Sequence, residues 1–353
     1  MTPHGRTAGE GAMNRLRSTA CTRRTFVQGA VLGAATMLRG APTPAHAEPP
    51  PETTRLRLFK FPVTCLAPQY LAEELLAAEG FTEVQYLEFP EGARGVFDRI
   101  GAGAVDMSQW YVAPAIVEID KGTPITLVAG VHAGCWEVFA SERVRTIRDL
   151  KGKTVGVPWL GPGPFNAIIA TMLAHVGLDP QRDVTFVALS VDESARRLSL
   201  GEIDAFAAAP PAAQELRAKG VGRVILNSSV DRPWSQYLCC AIAANRAFVR
   251  AHPVATKRAI RAILKAEQLC AREPERVARG LVDRGLTKSY DYALQTMRDV
   301  PYGRWRQYDP EDTVRFYALR LREAGAIKSI PQKILAEGTD WRFHNELKKE
   351  LKG

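Results

Sequence analysis

Two parts of this chain repeat one order of elements about a hundred residues apart, and that repeat constrains the fold more than any single motif. Residues 56–61 read as an apolar strand, followed by a loop through Pro62 and Pro68 and an amphipathic helix from Gln69 that ends near Gly80. Residues 154–157, the loop 158–164 and a helix ending near Gly177 repeat that order. The next strands, 84–89 and 184–189, are each followed by a helix and a Gly-x-apolar-Asp step, at Gly103 to Asp106 and at Gly201 to Asp204. Helix-end glycines, strand starts and aspartates are offset by 97, 100 and 98 residues, so one duplication accounts for all three. Two copies are too few for a solenoid, which needs at least about three stacked units. Short β-rich runs alternating with longer helical ones spell βαβ units and mostly parallel sheets. The expected fold is therefore α/β, with two similar lobes facing one another across a cleft.

After the second copy, a strand-like stretch at 235–244 follows Pro233, and helices then start at Pro253, Pro274 and Asp309-Pro310. This tail has too few strands for a sheet of its own, so the chain is expected to return to the first lobe. The predicted division is residues 54–140 plus 236–345 for lobe 1 and 141–235 for lobe 2, with crossovers near 140–146 and 231–236 as the hinge.

In open α/β sheets ligands bind outside the carboxyl ends of the strands. The loops there are 62–68, 108–111, 158–165, 189–193 and 208–210, and only the fourth contains a charged residue. Cys65, Leu66, Gln109, Trp110, Tyr111, Trp159, Gly161, Gly163, Phe165, Asn166, Asp192 and Pro210 are the candidate ligand-binding residues. A mostly apolar wall with few polar handles suits a small neutral or aromatic ligand. Gly161-Pro162-Gly163-Pro164 running into a helix also offers a positive helix end to a sulfonate or carboxylate, although its prolines lack an N–H. Trp110 and Trp159 read equally as lobe core, and Ser190 and Asp192 sit where a helix cap is the default role. His132, Cys135, Trp136 and Glu137 cluster near the first crossover, with Trp234 and Tyr237 near the second.

Catalytic signatures are missing. The sequence contains no HExxH pair, GxSxG elbow, Walker A loop or dinucleotide fingerprint. A binding protein without catalytic residues, metal or cofactor is the expectation, not an enzyme.

The formal charge of +9 raises nucleic acid as a partner, but its distribution argues against that. Residues 1–47 hold six arginines against Glu10 alone, a net +5, which leaves +4 on the other 306 residues. The basic stretch, the weakly apolar run 26–38 and Ala45-His46-Ala47 make the three parts of an export signal cleaved before Glu48. That apolar run has 13 residues, and a bilayer span needs about 20. Thr22-Arg23-Arg24-Thr25-Phe26-Val27 is similar to the twin-arginine signal, which implies a periplasmic protein exported by that route. After cleavage Cys65, Cys135, Cys239, Cys240 and Cys270 remain, without zinc or CxxC spacing. An oxidising compartment allows a disulfide from Cys135 to Cys240 or to Cys239, whereas Cys270 reads as a small buried hydrophobe.

Over about residues 54–270 the chain resembles the solute-binding proteins of ABC transporters, within the nitrate/sulfonate/taurine and thiamine-precursor group. The resemblance rests on Gly103-Ala104-Val105-Asp106, on Ile147-Arg148-Asp149-Leu150-Lys151-Gly152-Lys153-Thr154-Val155-Gly156-Val157, on Gly177-Leu178-Asp179-Pro180 and on Gly201-Glu202-Ile203-Asp204-Ala205. It implies a type II periplasmic binding protein fold, a monomer that closes on a small ligand and hands it to permease subunits. Ser108-Gln109-Trp110-Tyr111 is bulkier than that group's loop, and the cleft loops lack an arginine for a tetrahedral oxyanion. An enzyme of thiamine-pyrimidine synthesis shares the fold, but its Cys-Cys-Cys-Phe-Cys run is absent, since Cys239-Cys240 is followed by Ala241-Ile242. A ligand sensor that reports to a membrane receptor is the third reading.

Overall fold

The computed structural model describes residues 48–158, 160 and 164–352. The export signal read over 1–47 and the cleft candidates Trp159, Gly161 and Gly163 lie outside the described residues, as does the side chain of Phe165.

In the first sheet, β1 (Arg55–Phe59) runs parallel to β2 (Glu83–Leu87) and to β3 (Met107–Tyr111). Beyond β3 lie β10 (Leu238–Asn245), antiparallel to both neighbours, and then β4 (Ile125–Ala133), giving the order β2-β1-β3-β10-β4. The second sheet uses β5 (Glu137–Ala140), β6 (Lys153–Val157), β7 (Val184–Ala188), β8 (Ala205–Ala208) and β9 (Arg223–Asn227) in the order β7-β6-β8-β5-β9. The two orders are the same pattern, with β5 in the place of β10 as the one antiparallel strand. The sheets are otherwise parallel, and every residue of β3, β4 and β10 is buried, as for strands covered on both faces.

Each antiparallel strand enters its sheet directly after a crossover from the other lobe. The strand Glu137–Ala140, assigned to the first lobe from sequence, hydrogen-bonds in the second sheet, so the first crossover is the three residues 134–136 and not 140–146. The return crossover occupies residues 228–237. The two crossovers are laced together at Ser228, whose Oγ accepts from the N–H of Cys135 at 3.0 Å and of Trp136 at 2.8 Å, while its own N–H donates to Trp136 O at 2.8 Å. Gly134 has φ +55°, and a Cβ there would stand 2.3 Å from Ser229 Cα, so only glycine lets the strands cross this closely.

The repeated Gly-x-apolar-Asp step acquires a physical reason here. Asp106 Oδ2 accepts from Arg57 N at 2.7 Å, and the Asp106 N–H returns to Arg57 O at 2.9 Å. In the second lobe Asp204 Oδ2 accepts from Thr154 N at 3.0 Å and the Asp204 N–H donates to Thr154 O at 2.8 Å. Each aspartate thus hooks the entry of one parallel strand onto the start of its neighbour.

The helices of the first lobe are α1 (Ala67–Leu71), α2 (Glu73–Leu76), α3 (Val96–Gly101) and α4 (Val112–Asp120), and those of the second are α5 (Pro164–His175), α6 (Val191–Ser199) and α7 (Ala212–Ala218). After β10 the chain is helical: α8 (Arg246–Ala251), α9 (Pro253–Arg272), α10 (Pro274–Asp283), α11 (Tyr290–Asp299), α12 (Pro310–Glu323), α13 (Pro331–Gly338) and α14 (Arg342–Glu350). Proline opens α9, α10, α12 and α13 at its preferred first-turn position, and Asp309 caps α12 through the N–H groups of Glu311 and Asp312. Ile260, Ile263, Leu264 and Cys270 form the fully buried stripe of α9, which packs on α1 and thereby backs the first lobe.

Asp106 is buried and also holds the Arg57 guanidinium at 2.5 Å, whereas Asp204 makes the backbone hook alone. Asp106→Ala should therefore lower stability by about 1–3 kcal/mol in urea unfolding, since it leaves a buried N–H unpaired, and Asp204→Ala should cost less. Equal, near-zero effects at both positions would remove the hook as the reason for the repeat.

Candidate ligand cleft

The floor of the cleft is the single helical turn Thr64–Leu66, where the chain leaves β1 and enters α1. Tyr70 fastens the approach to it, its hydroxyl accepting from Phe61 N at 2.9 Å and donating to Phe61 O at 2.6 Å. The Cys65 carbonyl then receives three groups from distant segments: Gln109 Nε2 at 3.0 Å, Tyr302 Oη at 3.0 Å and His132 Nε2 at 3.1 Å. Gln69 completes this buried network, donating to Phe59 O at 2.7 Å while its Oε1 accepts from Gln109 N at 2.7 Å and Ser108 Oγ at 3.2 Å. Gln109 Oε1 and Trp110 Nε1 are buried with no hydrogen-bond partner among the described residues. In a folded protein such atoms call for a ligand group or a water.

Four thiols gather on this floor. Cys65 Sγ lies 3.6 Å from the Tyr111 hydroxyl, Cys135 Sγ lies 3.2 Å from Cys239 Sγ, and Cys240 belongs to the same cluster, all buried and all as free thiols. Burial alone would push every one of these thiols up. In Cys65 and Cys239 the sulfur hydrogen bonds and the neighbouring His132 ring outweigh burial and lower them, while Cys135 and Cys240 are raised. The cluster thus divides its protons unequally.

Both lobes line the cavity above the floor. Tyr111, Ala113, Cys239 and Tyr317 face Ile168, Thr171 and Met172 of α5, with Trp136, Ser228 and Trp234 at the crossover end. The cavity measures about 10 Å³, room for roughly a single water. The lobes meet along this seam: α5 packs directly on α4 and α12, and Thr64 N donates to Pro210 O across it at 3.3 Å. Among the described residues no charged side chain lines this cavity. Ring centroids 4.9 Å apart for Tyr111 and Trp136, and 5.3 Å for Trp110 and Tyr111, continue the aromatic wall. A larger groove of about 550 Å³ opens on the same seam between Val117 and Gly325 on one side and Asn166, Ala170 and Phe186 on the other.

Of the candidates read from sequence, Cys65, Gln109 and Tyr111 are joined by hydrogen bonds, Pro210 accepts from Thr64 across the seam, Leu66 and Trp110 are buried next to them in the chain, and Asn166 lines the outer groove. Trp110 packs edge-on against Phe59 and Phe61, so the core reading made for it holds in part. Asp192 does not join them. It is exposed in the first turn of α6, beside Lys219 on a groove belonging wholly to the second lobe, because the buried stripe of α6 runs through Ser194 and Leu198. Ser190 is the cap, its Oγ accepting from Glu193 N at 3.2 Å. Tyr302, Tyr317 and Thr296, whose Oγ1 accepts from Thr64 Oγ1 at 3.0 Å, were not anticipated. They reach the cleft from the helical tail, and no local pattern announces a partner more than 200 residues away.

Glu137 opens β5 at the edge of the cleft, buried, with Oε2 3.3 Å from Arg217 Nε. Arg217 in turn binds Asp299 of α11, which also accepts from Gln214 Nε2 at 3.1 Å, so this chain of charges ties the second lobe to the helical tail. Burial pushes the Glu137 carboxyl up to about 7, against the pull of Arg217 and with the help of Asp299.

The profile of the NMT1-like family matches residues 49–280. The nitrate/nitrite binding protein NrtA of Nostoc sp. strain PCC 7120 is 21% identical over 245 residues, covering 63% of this chain and 55% of that protein. The chain spans about half the length of the curated relatives it matches. Among solved structures, the periplasmic nitrate-binding protein NrtA from Synechocystis PCC 6803 superposes with a TM-score of 0.68 at 16% identity, over 86% of this chain and 90% of that one. The periplasmic aliphatic sulphonate binding protein SsuA from Escherichia coli gives 0.62 at 16% identity, over 80% and 92%. At such identities the likeness shows the fold, two α/β lobes of the periplasmic binding protein kind.

The folded chain keeps the Glu137 proton between about pH 4.5 and 7, where the unfolded chain has lost it, so this group's contribution to stability falls as pH rises through that window. Glu137→Gln should flatten, without abolishing, the decline of the urea midpoint from pH ~5 to ~7.5, because Glu267, pushed up to about 8 by burial, titrates with the same sign. A slope identical in parent and variant contradicts the assignment.

Proposed function

The chain belongs to the NMT1-like family, and on that premise we propose that it is a periplasmic solute-binding protein, not an enzyme, that captures a small organic ligand by lobe closure and delivers it to the permease subunits of an ABC importer. The observation that carries this reading is the seam itself, where Tyr111 and Tyr317 of one side meet Ile168 and Met172 of the other across a cavity lined by uncharged described residues. Two similarly ordered sheets joined by two short crossovers are what a hinged closure requires, and the crossovers at 134–136 and 228–237 are the hinge. Ligand bound between the lobes stabilises the closed form, and the permease recognises that form.

The lining selects the ligand class. An apolar, aromatic wall favours an aromatic or heterocyclic molecule. A sulfonate or carboxylate would rest on the amino end of α5, whose dipole is positive. That the matching relative NrtA is named for nitrate and nitrite supports the anion alternative. The amino-terminal residues 1–47 serve as the export signal, and the exported protein works as a monomer.

Protein isolated from its own periplasm and sprayed under native conditions should carry one small molecule per chain, released on denaturation. Tyr111→Ala should weaken that molecule at least tenfold while the near-ultraviolet circular dichroism of the fold persists. A chain that arrives ligand-free from cells and leaves their uptake unchanged on deletion would overturn the reading.

A further inference from the structure

We propose that the thiols of Cys135, Cys239 and Cys240, with Cys65 as fourth ligand, form a site for one thiophilic d10 metal ion, Zn(II) or Cu(I), at the floor of the cleft. The site stands on geometry and does not depend on what the cleft carries to an importer. The Sγ atoms of Cys135, Cys239 and Cys240 all lie within 4.8 Å of one another, and a second triad of Cys65, His132 and Cys240 shares Cys240 with the first. In a zinc tetrahedron with Zn–S of about 2.3 Å, neighbouring sulfurs stand about 3.8 Å apart. The 3.2 Å between Cys135 and Cys239 and the 4.8 Å limit within their triad with Cys240 bracket that spacing, and Cys65, within the same limit of Cys240, is the thiol that moves in to complete the tetrahedron.

The backbone is arranged to bring these sulfurs together. Adjacent residues of a regular strand point to opposite faces, which would separate Cys239 from Cys240. β10 breaks its register against β4 on both sides of Cys240, and such irregularities re-aim side chains. Gly134, confined to its left-handed turn, delivers Cys135 from the first crossover, and the turn Thr64–Leu66 delivers Cys65. Cys270, equally buried within the stripe of α9, shows what a merely packed cysteine looks like, since it belongs to neither group. His132 stays beside the sulfurs without joining them: its Nδ1 faces Ala133 O and Gly134 O at 3.2 Å and its Nε2 faces Cys65 O at 3.1 Å. Soft thiolate donors select Zn(II) and Cu(I) over magnesium or calcium. Cys239 lines the interlobe cavity, so an ion reaches the cluster from the cleft when the lobes part. Each thiol that becomes a ligand releases its proton to solvent, and no electron is transferred.

The test uses the full-length exported protein, reduced and handled without oxygen, and titrated first with Co(II) as a spectroscopic stand-in for zinc. The expected result is one Co(II) per chain, with intense near-ultraviolet sulfur-to-metal absorption and the visible bands of a tetrahedral site, bleached by one equivalent of Zn(II). A parallel titration with Cu(I) against a coloured chelator tells which ion binds tighter. Cys135→Ser and Cys240→Ser should each weaken uptake at least tenfold, and Cys270→Ala should leave it as in the parent. The proposal is overturned if the reduced parent takes up neither Co(II), Zn(II) nor Cu(I), if both serine variants retain full uptake, or if protein prepared without reductant holds a Cys135 disulfide that no added metal competes with.

Discussion

One carbonyl oxygen, that of Cys65, organises the cleft. Gln109 from β3, His132 from β4 and Tyr302 from the helical tail all converge on it, at 3.0, 3.1 and 3.0 Å. A buried carbonyl has two lone pairs, and losing a donor from such a network leaves a desolvated polar group that costs on the order of 1–3 kcal/mol. The turn at 64–66 is therefore held from three sides of the first lobe before it meets the second. Its other contacts point outward to the cleft: Thr64 N to Pro210 O across the seam, and the Cys65 thiol to the sulfur cluster and Tyr111. Remove that turn and the aromatic wall, the cysteines and the lobe contact lose their common reference.

Around it, the duplicated architecture makes two surfaces that match. Equivalent strand orders place equivalent loops at facing ends of the two sheets, and the aspartate hooks at Asp106 and Asp204 fix those ends. Each sheet accepts one antiparallel strand from beyond a crossover, so neither sheet is complete without the chain passing between lobes. Ser228 and Gly134 keep the two crossovers in contact.

Much of this was legible because it rests on local chemistry. The Gly-x-apolar-Asp step, the proline-led helices and the apolar strands each carry a short-range signal, and the repeat offset turned those signals into a topology. The boundary at 137–140 was misplaced because a four-residue apolar strand before the charged stretch Glu142-Arg143 looks like the end of a lobe; its partner, β8, lies about seventy residues onward. The cleft was half legible. Uncharged loops marked Cys65, Gln109 and Tyr111, but Tyr302 comes from a turn and Tyr317 from a helix of the tail with no cleft signature, and Asp192 lies on the exposed face of a second-lobe helix. The gathering of the cysteines was not legible for a different reason. Read one spacing at a time they match no metal motif, since the cluster draws on three separated segments and on a break in strand register that no spacing rule encodes.

The central claim is the proposed one, that a ligand bound between the lobes draws them together. Small-angle scattering tests it most directly, comparing protein taken from its own periplasm with the same protein after denaturation, exhaustive dialysis and refolding. The account predicts a larger radius of gyration for the stripped protein, returning to the smaller value when the low-molecular-weight dialysate is added back. The same radius in all three samples would contradict it.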